Sequence, residues 1–282
     1  MKKSIKETIV LFSKGAVIGV ANIIPGVSGG TLAVVLGIYD RLIESIAKFF
    51  EKPEKRKEYM FFLMKIFCGA GIAILLLANL MSFLLENHFH KTMFAFMGLI
   101  LGGIPLVIRS HGDMRIRSSR ILAFILGIML VLFISSGIAT GSSDISVKEG
   151  GSLLSAVSLP LMFVSGFFAG GAMIVPGISG SFILVLLGQY SLILTAIKQF
   201  AVKPIAVLAI GAIIGILTFS KGIEICLEKI PACTYYFILG LIIASLYKIF
   251  PGFPVKGSDV FSCALTFFAG IGVSYFLSKV KT

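Results

Sequence analysis

Two short polar motifs, each set inside apolar sequence, hold the residues of this chain best suited to chemistry. Residues 25–31 read Pro-Gly-Val-Ser-Gly-Gly-Thr and residues 176–181 read Pro-Gly-Ile-Ser-Gly-Ser, so both contain the pattern Pro-Gly-x-Ser-Gly. A Pro-Gly pair ends a helix, because proline has no N–H to donate and glycine adopts backbone conformations that other residues avoid. The serine that follows suits a helix N-cap. Each motif therefore predicts that one helix ends and another begins within an apolar segment.

A helix that begins inside an apolar segment offers a site for an anion. Its first N–H groups are unpaired, and its N-terminus carries about half a positive elementary charge. Glycines after the serine leave those N–H groups open to close approach, and nearby hydroxyl groups add donors. Two such helix starts, entering from opposite faces of a membrane, would form one central anion site. The predicted substrate-binding residues are Asn22, Pro25, Gly26, Ser28, Gly29, Gly30, Thr31, Arg41, Pro176, Gly177, Ser179, Gly180 and Ser181.

Other interpretations of these motifs remain open at the level of sequence. Small residues such as Gly29 and Gly180 also form the packing seams between membrane helices. Asn22, three residues before Pro25, suits either a hydrogen bond to a ligand or one to a neighbouring helix, and its counterpart in the second motif is Met173. Any such role of Asn22 is therefore confined to one half of the chain.

Arg41 is the cation nearest to the first motif on its C-terminal side. It lies thirteen residues beyond Ser28, which is about 20 Å along a helix and places it near a membrane surface. It suits a contact with a phosphate that enters or leaves the site. It also suits an interfacial arginine paired with Asp40 or Glu44. We predict the phosphate contact and keep the interfacial ion pair as its alternative.

The groups needed for catalysis or for ion coupling are missing from the predicted site. No acidic residue falls deep in a predicted spanning segment, whereas hydrolysis needs a carboxylate or histidine and proton coupling commonly uses a buried carboxylate. The three histidines, His88, His90 and His111, fall in predicted loops, and the four cysteines have no Cys-x-x-Cys spacing. We therefore expect no enzyme activity, no metal and no cofactor, and a site that binds and releases.

The composition places these motifs in a lipid bilayer. The chain has 282 residues, of which 57% are hydrophobic and 13% charged, and its mean hydropathy is +1.03. A helix crosses the hydrocarbon with roughly 20 apolar residues. Six segments approach or exceed that length, in addition to two broken regions at about 8–48 and 153–200. The six segments are 59–85, 93–108, 121–140, 205–219, 235–250 and 260–277.

The basic residues of the chain are distributed unevenly between the two sides of the predicted membrane. A net charge of +12 would suggest nucleic acid as the partner of a soluble protein. With a cytoplasmic N-terminus, however, seventeen lysines and arginines fall on the inside and six on the outside. This bias satisfies the positive-inside rule. We predict cytoplasmic N- and C-termini and no nucleic-acid partner.

The sequence also repeats internally. A shift of 151 residues aligns Gly15–Tyr39 with Gly166–Tyr190 and gives twelve identities in twenty-five positions, and residues 98–100 match residues 240–242 at a slightly smaller shift. Residues 1–145 and 146–282 are thus predicted as two repeats, each a broken or re-entrant helical hairpin plus three transmembrane helices. An odd number of crossings turns the second repeat upside down, so we predict an all-α polytopic membrane protein with two inverted-topology repeats. Whether each hairpin is re-entrant or crosses fully stays open.

Residues 19–31, 37–43 and 175–181 resemble the bacterial polyprenyl-phosphate transporter family often called PopT, and the resemblance covers nearly the whole chain. It implies a multi-pass protein of the bacterial cytoplasmic (inner) membrane. It also implies a transporter that returns undecaprenyl phosphate, the lipid carrier of cell-wall synthesis, from the outer to the inner leaflet. The implied partners are the polyprenyl phosphate lipid and the bilayer, and a homo-oligomer is left open.

Two other families share part of the pattern. Undecaprenyl-diphosphate phosphatases have a similar Pro-Gly-x-Ser-Arg-Ser motif, but Gly29 and Gly180 stand at the positions of its arginine, and the glutamate-rich partner motif of that family is absent. Chloride channels have broken helices and a Gly-Ser-Gly-Ile-Pro motif in which proline and serine come in the reverse order. A phosphatase-like enzyme and a broken-helix anion channel are therefore the alternatives to a transporter.

Overall fold

The computed structural model describes residues 2–24, 27–109, 115–141, 158–252 and 257–279. All regular secondary structure in these ranges is helical. In chain order the helices are α1 (Lys2–Ile23), α2 (Gly29–Val35), α3 (Tyr39–Ala47), α4 (Arg56–Asn87), α5 (Phe89–Arg109), α6 (Ser118–Gly141), α7 (Leu159–Ile174), α8 (Gly180–Leu186), α9 (Tyr190–Lys198), α10 (Val202–Lys229), α11 (Pro231–Ile249) and α12 (Gly257–Lys279), with a short 3₁₀ helix at Pro53–Lys55. The predicted all-α class is confirmed.

Several of these helices are long and apolar enough to cross a bilayer. By length and composition, the described part of the chain holds five such segments: Pro53–Asn87, Ser118–Ser136, Val202–Lys229, Pro231–Ile249 and Asp259–Leu277. Helices α8 and α9 together make a sixth candidate, bent by 112° at its centre. The prediction of a polytopic membrane protein is confirmed, and each of the six predicted unbroken segments overlaps one helix.

Close helix pairs build the bundle. Helix α1 packs along α4, α7 along α10, α5 along α12 and α6 along α11. Glycine allows the close approach within each pair. A Cβ atom added to Gly15 would lie 2.3 Å from the carbonyl oxygen of Ile66, and one added to Gly98 would lie 1.9 Å from that of Phe267. Since no side chain fits in such a gap, small residues set the distance between these helices.

The two predicted halves make matching contacts. Gly166, the counterpart of Gly15, would place a Cβ atom 2.2 Å from the carbonyl oxygen of Leu208. Gly240, the counterpart of Gly98, would place one 2.1 Å from that of Phe124. Helices at corresponding places in the sequence repeat are therefore packed in the same way. The inverted orientation of the two halves, and their boundary near residue 145, stay predictions.

Both predicted motifs interrupt a helix. Helix α1 ends at Ile23 and α2 begins after Ser28, while α7 ends at Ile174 and α8 begins after Ser179. Both serines occupy the N-cap position in an extended conformation, but neither side chain caps its helix. The predicted N-cap position of both serines, and with it the start of each new helix, is confirmed. Pro25 and Gly26 lie outside the described residues.

Each half contains a second bend that the sequence analysis did not predict. Helix α2 ends before Gly37, which has φ +68°, and α8 ends before Gly188, which has φ +67°. The N–H of Ile38 donates to the oxygen of Ala33 at 3.0 Å, and the N–H of Gln189 donates to that of Leu184 at 2.9 Å. This is a Schellman ending, which favours glycine because of the positive φ. It limits α2 and α8 to 7 residues each.

Burial differs sharply between α2 and α8. Six of the seven residues of α2 are buried, because it packs against α5, and α3 in turn packs against α10. In α8 only Gly180 is buried. The main hydrophobic core therefore surrounds the first broken region, and the second broken region is covered much less by the other described helices.

Candidate functional site

Two cavities lie at the breaks. The first, here called the break cavity, has a volume of about 450 Å³ and contains residues of both motifs. The second, here called the lysine cavity, has a volume of about 590 Å³ and lies at the end of α1 beside α8. Asn22, Ser179 and Ser181 line both cavities, so the two are neighbours that share these polar side chains.

The break cavity combines the first turns of α2 and α8. Ser28 and Gly29 come from the first motif, and Ser179, Gly180 and Ser181 from the second. The hydroxyl oxygens of Ser179 and Ser181 are 2.9 Å apart and exposed to the cavity side of α8. The remainder of the wall is largely apolar and comes from α7 and α10. The cavity thus places hydroxyl groups and glycine backbone within an otherwise apolar surface.

The lysine cavity carries the positive charge of the site. Lys248, in the last turn of α11, lines it together with Tyr190, Phe182 and the two serines of α8. The Nζ atom of Lys248 lies 3.3 Å from the centre of the Phe182 ring, which is a close cation–π contact. Sequence reasoning missed this residue. It placed Lys248 among the six basic residues on the outer side of the membrane and gave it no further role.

The rest of the first motif holds the second break in place. The N–H of Gly177 donates to Oγ1 of Thr31 at 2.7 Å, and the hydroxyl of Ser28 donates to the carbonyl oxygen of Val175 at 3.5 Å. Ser28 is 3% exposed and Thr31 1% exposed. Irregular backbone at membrane depth must be paired or must line a cavity. The second break satisfies both conditions. Its backbone groups at Val175 and Gly177 are hydrogen-bonded to the first motif, and the residues that follow line the break cavity.

The close packing around the start of α2 also explains why two of its positions are glycine. A Cβ atom on Gly30 would lie 3.0 Å from the carbonyl oxygen of Ile174, so α2 packs directly on the end of α7. A Cβ atom on Gly29 would lie 2.8 Å from Oδ1 of Asn22. The amide of Asn22 therefore covers the start of α2, and it is exposed to both cavities.

The structure therefore places the described members of the predicted set in different surroundings. Asn22, Ser28, Gly29, Ser179, Gly180 and Ser181 line the break cavity. Gly30, Thr31 and Gly177 form the contact between the breaks, and Pro176 lines a separate, apolar cavity of about 510 Å³ between α6, α10 and α11. Arg41 lines none of these cavities.

Arg41 is held in an ion-pair cluster. Its guanidinium pairs with Glu7 and Glu58, both at 3.3 Å, and lies 4.6 Å from the centre of the Phe62 ring. The predicted alternative partners are occupied elsewhere: Asp40 accepts a hydrogen bond from Tyr235, and Glu44 accepts one from Tyr59. In the structure Arg41 is therefore ion-paired, but its partners are Glu7 and Glu58 and not the Asp40 or Glu44 of the sequence analysis.

A second ion-pair cluster joins α3 to α10. Lys48 pairs with Glu224 at 2.6 Å and with Glu228 at 2.5 Å, and Lys221 pairs with Glu224 and Glu51, both at 2.8 Å. Hydrogen bonds to Glu224 and then Glu228 raise the pKa of Lys48 above its ordinary value. Glu224 is 4% exposed, near the C-terminal end of a candidate span. Sequence reasoning missed this buried acid, because nothing local indicates its partners.

Two tyrosines at matching positions have opposite environments. Tyr39 is 3% exposed, and its hydroxyl donates to the carbonyl oxygen of Ile174 at 3.1 Å. Tyr190, at the corresponding position of the second half, is 42% exposed and lines the lysine cavity beside Ile23. The first broken region is therefore closed against the bundle and the second is open.

Broken helices that meet inside a helical membrane bundle are typical of secondary transporters. The family comparison agrees with this class. The model of the undecaprenyl phosphate translocase-like family matches residues 18–260. The chain belongs to that family.

Two curated relatives match most of the chain. A protein named polyprenyl-phosphate transporter from Vibrio cholerae serotype O1 (strain ATCC 39315 / El Tor Inaba N16961) is 32% identical over 257 residues, which are 85% of this chain and 77% of the relative. A protein of the same name from Staphylococcus aureus (strain NCTC 8325 / PS 47) is 33% identical over 275 residues, which are 95% of each chain. No solved structure matches the chain significantly.

Proposed function

We propose that this protein transports polyprenyl phosphate across a bilayer by exposing one head-group site alternately to its two sides. The observation that carries the proposal is the break cavity, in which Ser28 and Gly29 of one motif and Ser179, Gly180 and Ser181 of the other line one space. Membership of the undecaprenyl phosphate translocase-like family supports the choice of substrate. Two relatives named polyprenyl-phosphate transporters support it further.

The chemistry of the cavity suits this head group. A phosphate monoester carries between one and two negative charges near neutral pH and has three strong acceptor oxygens. Hydroxyl groups, the amide of Asn22 and bare N–H groups at the start of α8 are donors for those oxygens. Because α2 and α8 have 7 residues each, their dipoles are short, and we assign most of the binding to these direct donors. The apolar tail stays in the lipid while the head group crosses.

We propose that the two halves are inverted repeats whose broken regions open in turn. The matching helix contacts at Gly15 and Gly166 support the repeat, and the opposite environments of Tyr39 and Tyr190 support alternate opening. With cytoplasmic termini, the open α8 and α9 side faces outward. The closed α2 and α3 side faces the cytoplasm, where the ion pairs of Lys48 lie.

The direction and the biological role are finer parts of the same proposal. We propose transport of undecaprenyl phosphate from the outer to the inner leaflet of the bacterial cytoplasmic membrane, which recycles the carrier lipid of cell-wall synthesis. The distribution of basic residues and the family resemblance support it. In this scheme Arg41 contacts the departing phosphate only after Glu7 and Glu58 release it.

Reconstitution tests the proposed function. Liposomes containing the purified protein and a labelled short-chain polyprenyl phosphate should show transbilayer movement faster than protein-free liposomes. A double variant, Ser179→Ala with Ser181→Ala, should lose most of that rate, whereas Ser136→Ala, which removes an exposed hydroxyl of α6 outside both cavities, should keep it. Movement no faster than in empty liposomes contradicts the proposal. Phosphate release from the diphosphate would instead indicate an enzyme, and chloride flux without lipid a channel.

A further inference from the structure

We infer that Lys248 is the cation that binds the phosphate monoester of the lipid when the α8 and α9 side is open. The inference rests on the proposed function and adds the charged residue that the two motifs lack. Lys248 belongs to neither motif and lies 67 to 69 residues beyond the serines that it faces. It reaches the site because the C-terminal end of α11 lies beside α8.

The position of Lys248 is defined by its neighbours. Its Nζ atom lies 3.3 Å from the centre of the Phe182 ring, and it lines the lysine cavity with Asn22, Ser179 and Ser181. Phe182 follows Ser181 directly, so the ring that holds the ammonium belongs to the first turn of α8. The lysine, the hydroxyl groups and the amide therefore face one space.

No acidic partner of Lys248 lies among the residues described, whereas four other cations of the bundle have one. Lys48 and Lys221 pair with glutamates, Arg41 pairs with Glu7 and Glu58, and Lys91 pairs with Asp259 at 3.5 Å. An ammonium group at membrane depth is stabilised by water in a cavity or by a counter-charge, and the ring of Phe182 supplies part of that stabilisation. A bound anion would replace the water with a counter-charge.

The surrounding donors select the class of anion. The oxygens of Ser179 and Ser181, 2.9 Å apart, present two hydroxyl groups on the same side as the lysine, and Asn22 adds an amide. A phosphate monoester has three terminal oxygens for such donors, and a charge-assisted hydrogen bond to an ammonium is among the strongest that it makes. The cavity also borders apolar side chains, Ile23 and Val185, which suits the first carbons of an apolar tail.

The cation is present in one half only. At the shift that aligns Gly98 with Gly240, the counterpart of Lys248 is Leu106. At this position the two openings of the proposed transporter therefore differ in charge, although their Pro-Gly-x-Ser-Gly motifs match. Lys248 captures the head group from the open side, and the opposite opening has no matching lysine to retain it.

Binding of labelled short-chain polyprenyl phosphate to the full-length protein in nanodiscs tests the inference. Lys248→Gln should weaken binding roughly ten- to hundredfold, as expected for loss of a charged hydrogen bond. Lys248→Arg should keep most of the affinity, because it keeps the charge. The matched control is Lys91→Gln, which removes a lysine outside both cavities and should bind as the wild type does. Unchanged binding by Lys248→Gln overturns the inference.

A second measurement uses the unaltered protein and so does not depend on the folding of a variant. Acetylation of Lys248, followed by mass spectrometry with Lys91 as the internal reference, should slow when polyprenyl phosphate is present and stay unchanged with the matching polyprenol. Equal acetylation with both lipids also overturns the inference. Equal protection by phosphatidic acid, another lipid phosphate monoester, would support Lys248 as the phosphate ligand but contradict selectivity for the polyprenyl tail. A wild-type protein that binds polyprenyl phosphate no better than polyprenol contradicts the proposed function itself.

Discussion

The hydroxyl group of Tyr39 donates a hydrogen bond to the carbonyl oxygen of Ile174 at 3.1 Å, and this bond ties the start of α3 to the end of α7. The corresponding pair in the other half is Tyr190 and Ile23, which line the same open cavity. The first pair is thus hydrogen-bonded, whereas the second pair lines a cavity. If the two pairs exchange states, the Tyr39–Ile174 bond breaks as a Tyr190–Ile23 bond forms, and the site opens on one side as it closes on the other.

Removing the Tyr39 hydroxyl should loosen the closed side. In Tyr39→Phe the buried carbonyl of Ile174 loses this donor, which costs about 1–3 kcal/mol in the closed state. We expect faster amide hydrogen exchange in α3, measured by mass spectrometry. Tyr190→Phe is the matched control and should leave exchange in α3 unchanged. Equal exchange in the wild type and Tyr39→Phe would show that this bond does not hold α3 closed.

The ion pairs between α3 and α10 should stabilise the same closed side. Lys48→Gln leaves Glu224 with Lys221 as its remaining charged partner, and breaking a largely buried pair costs about 3–5 kcal/mol at most. We expect a lower thermal midpoint in detergent, and a smaller loss when Glu224→Gln is added, because the uncompensated charge is then removed. Lys91→Gln breaks a more exposed pair and should cost about 1 kcal/mol or less. Strictly additive effects of Lys48→Gln and Glu224→Gln would contradict a direct interaction.

The hydrogen bond between the breaks gives a cleaner test of stability. Thr31→Val keeps the shape of the side chain but leaves the N–H of Gly177 without its acceptor, which should cost about 1–3 kcal/mol. Thr31→Ser keeps the oxygen and should lose less. Thermal unfolding followed by circular dichroism measures both. If Thr31→Val proves as stable as Thr31→Ser, the bond contributes nothing to holding the second break.

The two motif glycines should respond differently to alanine. A methyl group on Gly29 meets the side chain of Asn22 at 2.8 Å, which can rotate, whereas one on Gly180 meets the backbone oxygen of Ala169 at 2.7 Å, which cannot. Gly29→Ala should therefore fold normally and lose transport, because the methyl group and the displaced amide narrow the break cavity. Gly180→Ala should lose thermal stability as well.

The matched control for these glycines is Gly71→Ala, since a Cβ atom there meets nothing within 4 Å. It should keep both stability and transport. Normal transport by Gly29→Ala would mean that the head group does not approach the start of α2.

Local signals in the sequence predict the breaks, and a second local signal marks the bends that follow them. The Pro-Gly-x-Ser-Gly motif placed the starts of α2 and α8 correctly, because proline, glycine and serine act on their own backbone. The bends at Gly37 and Gly188 were equally predictable, since a glycine at matching positions after an apolar run is a typical helix end. Gly37 and Gly188 occupy matching positions of the sequence repeat.

The composition of the site depends on tertiary packing and could be predicted only in part. Sequence reasoning expected Ser28 and Thr31 to face the substrate, but both are buried against the second break, and Ser28 alone reaches the cavity. Lys248 and Glu224 are far in sequence from the groups they face, so their roles follow only from how α11 and α10 pack. The two motifs are expected from the sequence to contribute equally to the site, but in the structure they contribute different groups.

The ion pairs of the closed side have a consequence for the populations of the two end states in the proposed cycle. At the matching positions of the other half, Lys48 becomes Gln199, Asp40 becomes Ser191 and Glu224 becomes Ser82, so those charged contacts cannot form when the opposite side closes. The empty protein should consequently rest in one end state and visit the other as a minor population. In the proposed cycle the return of the empty carrier is then the favourable half-reaction. In the other half-reaction the bound lipid must itself stabilise the less populated state.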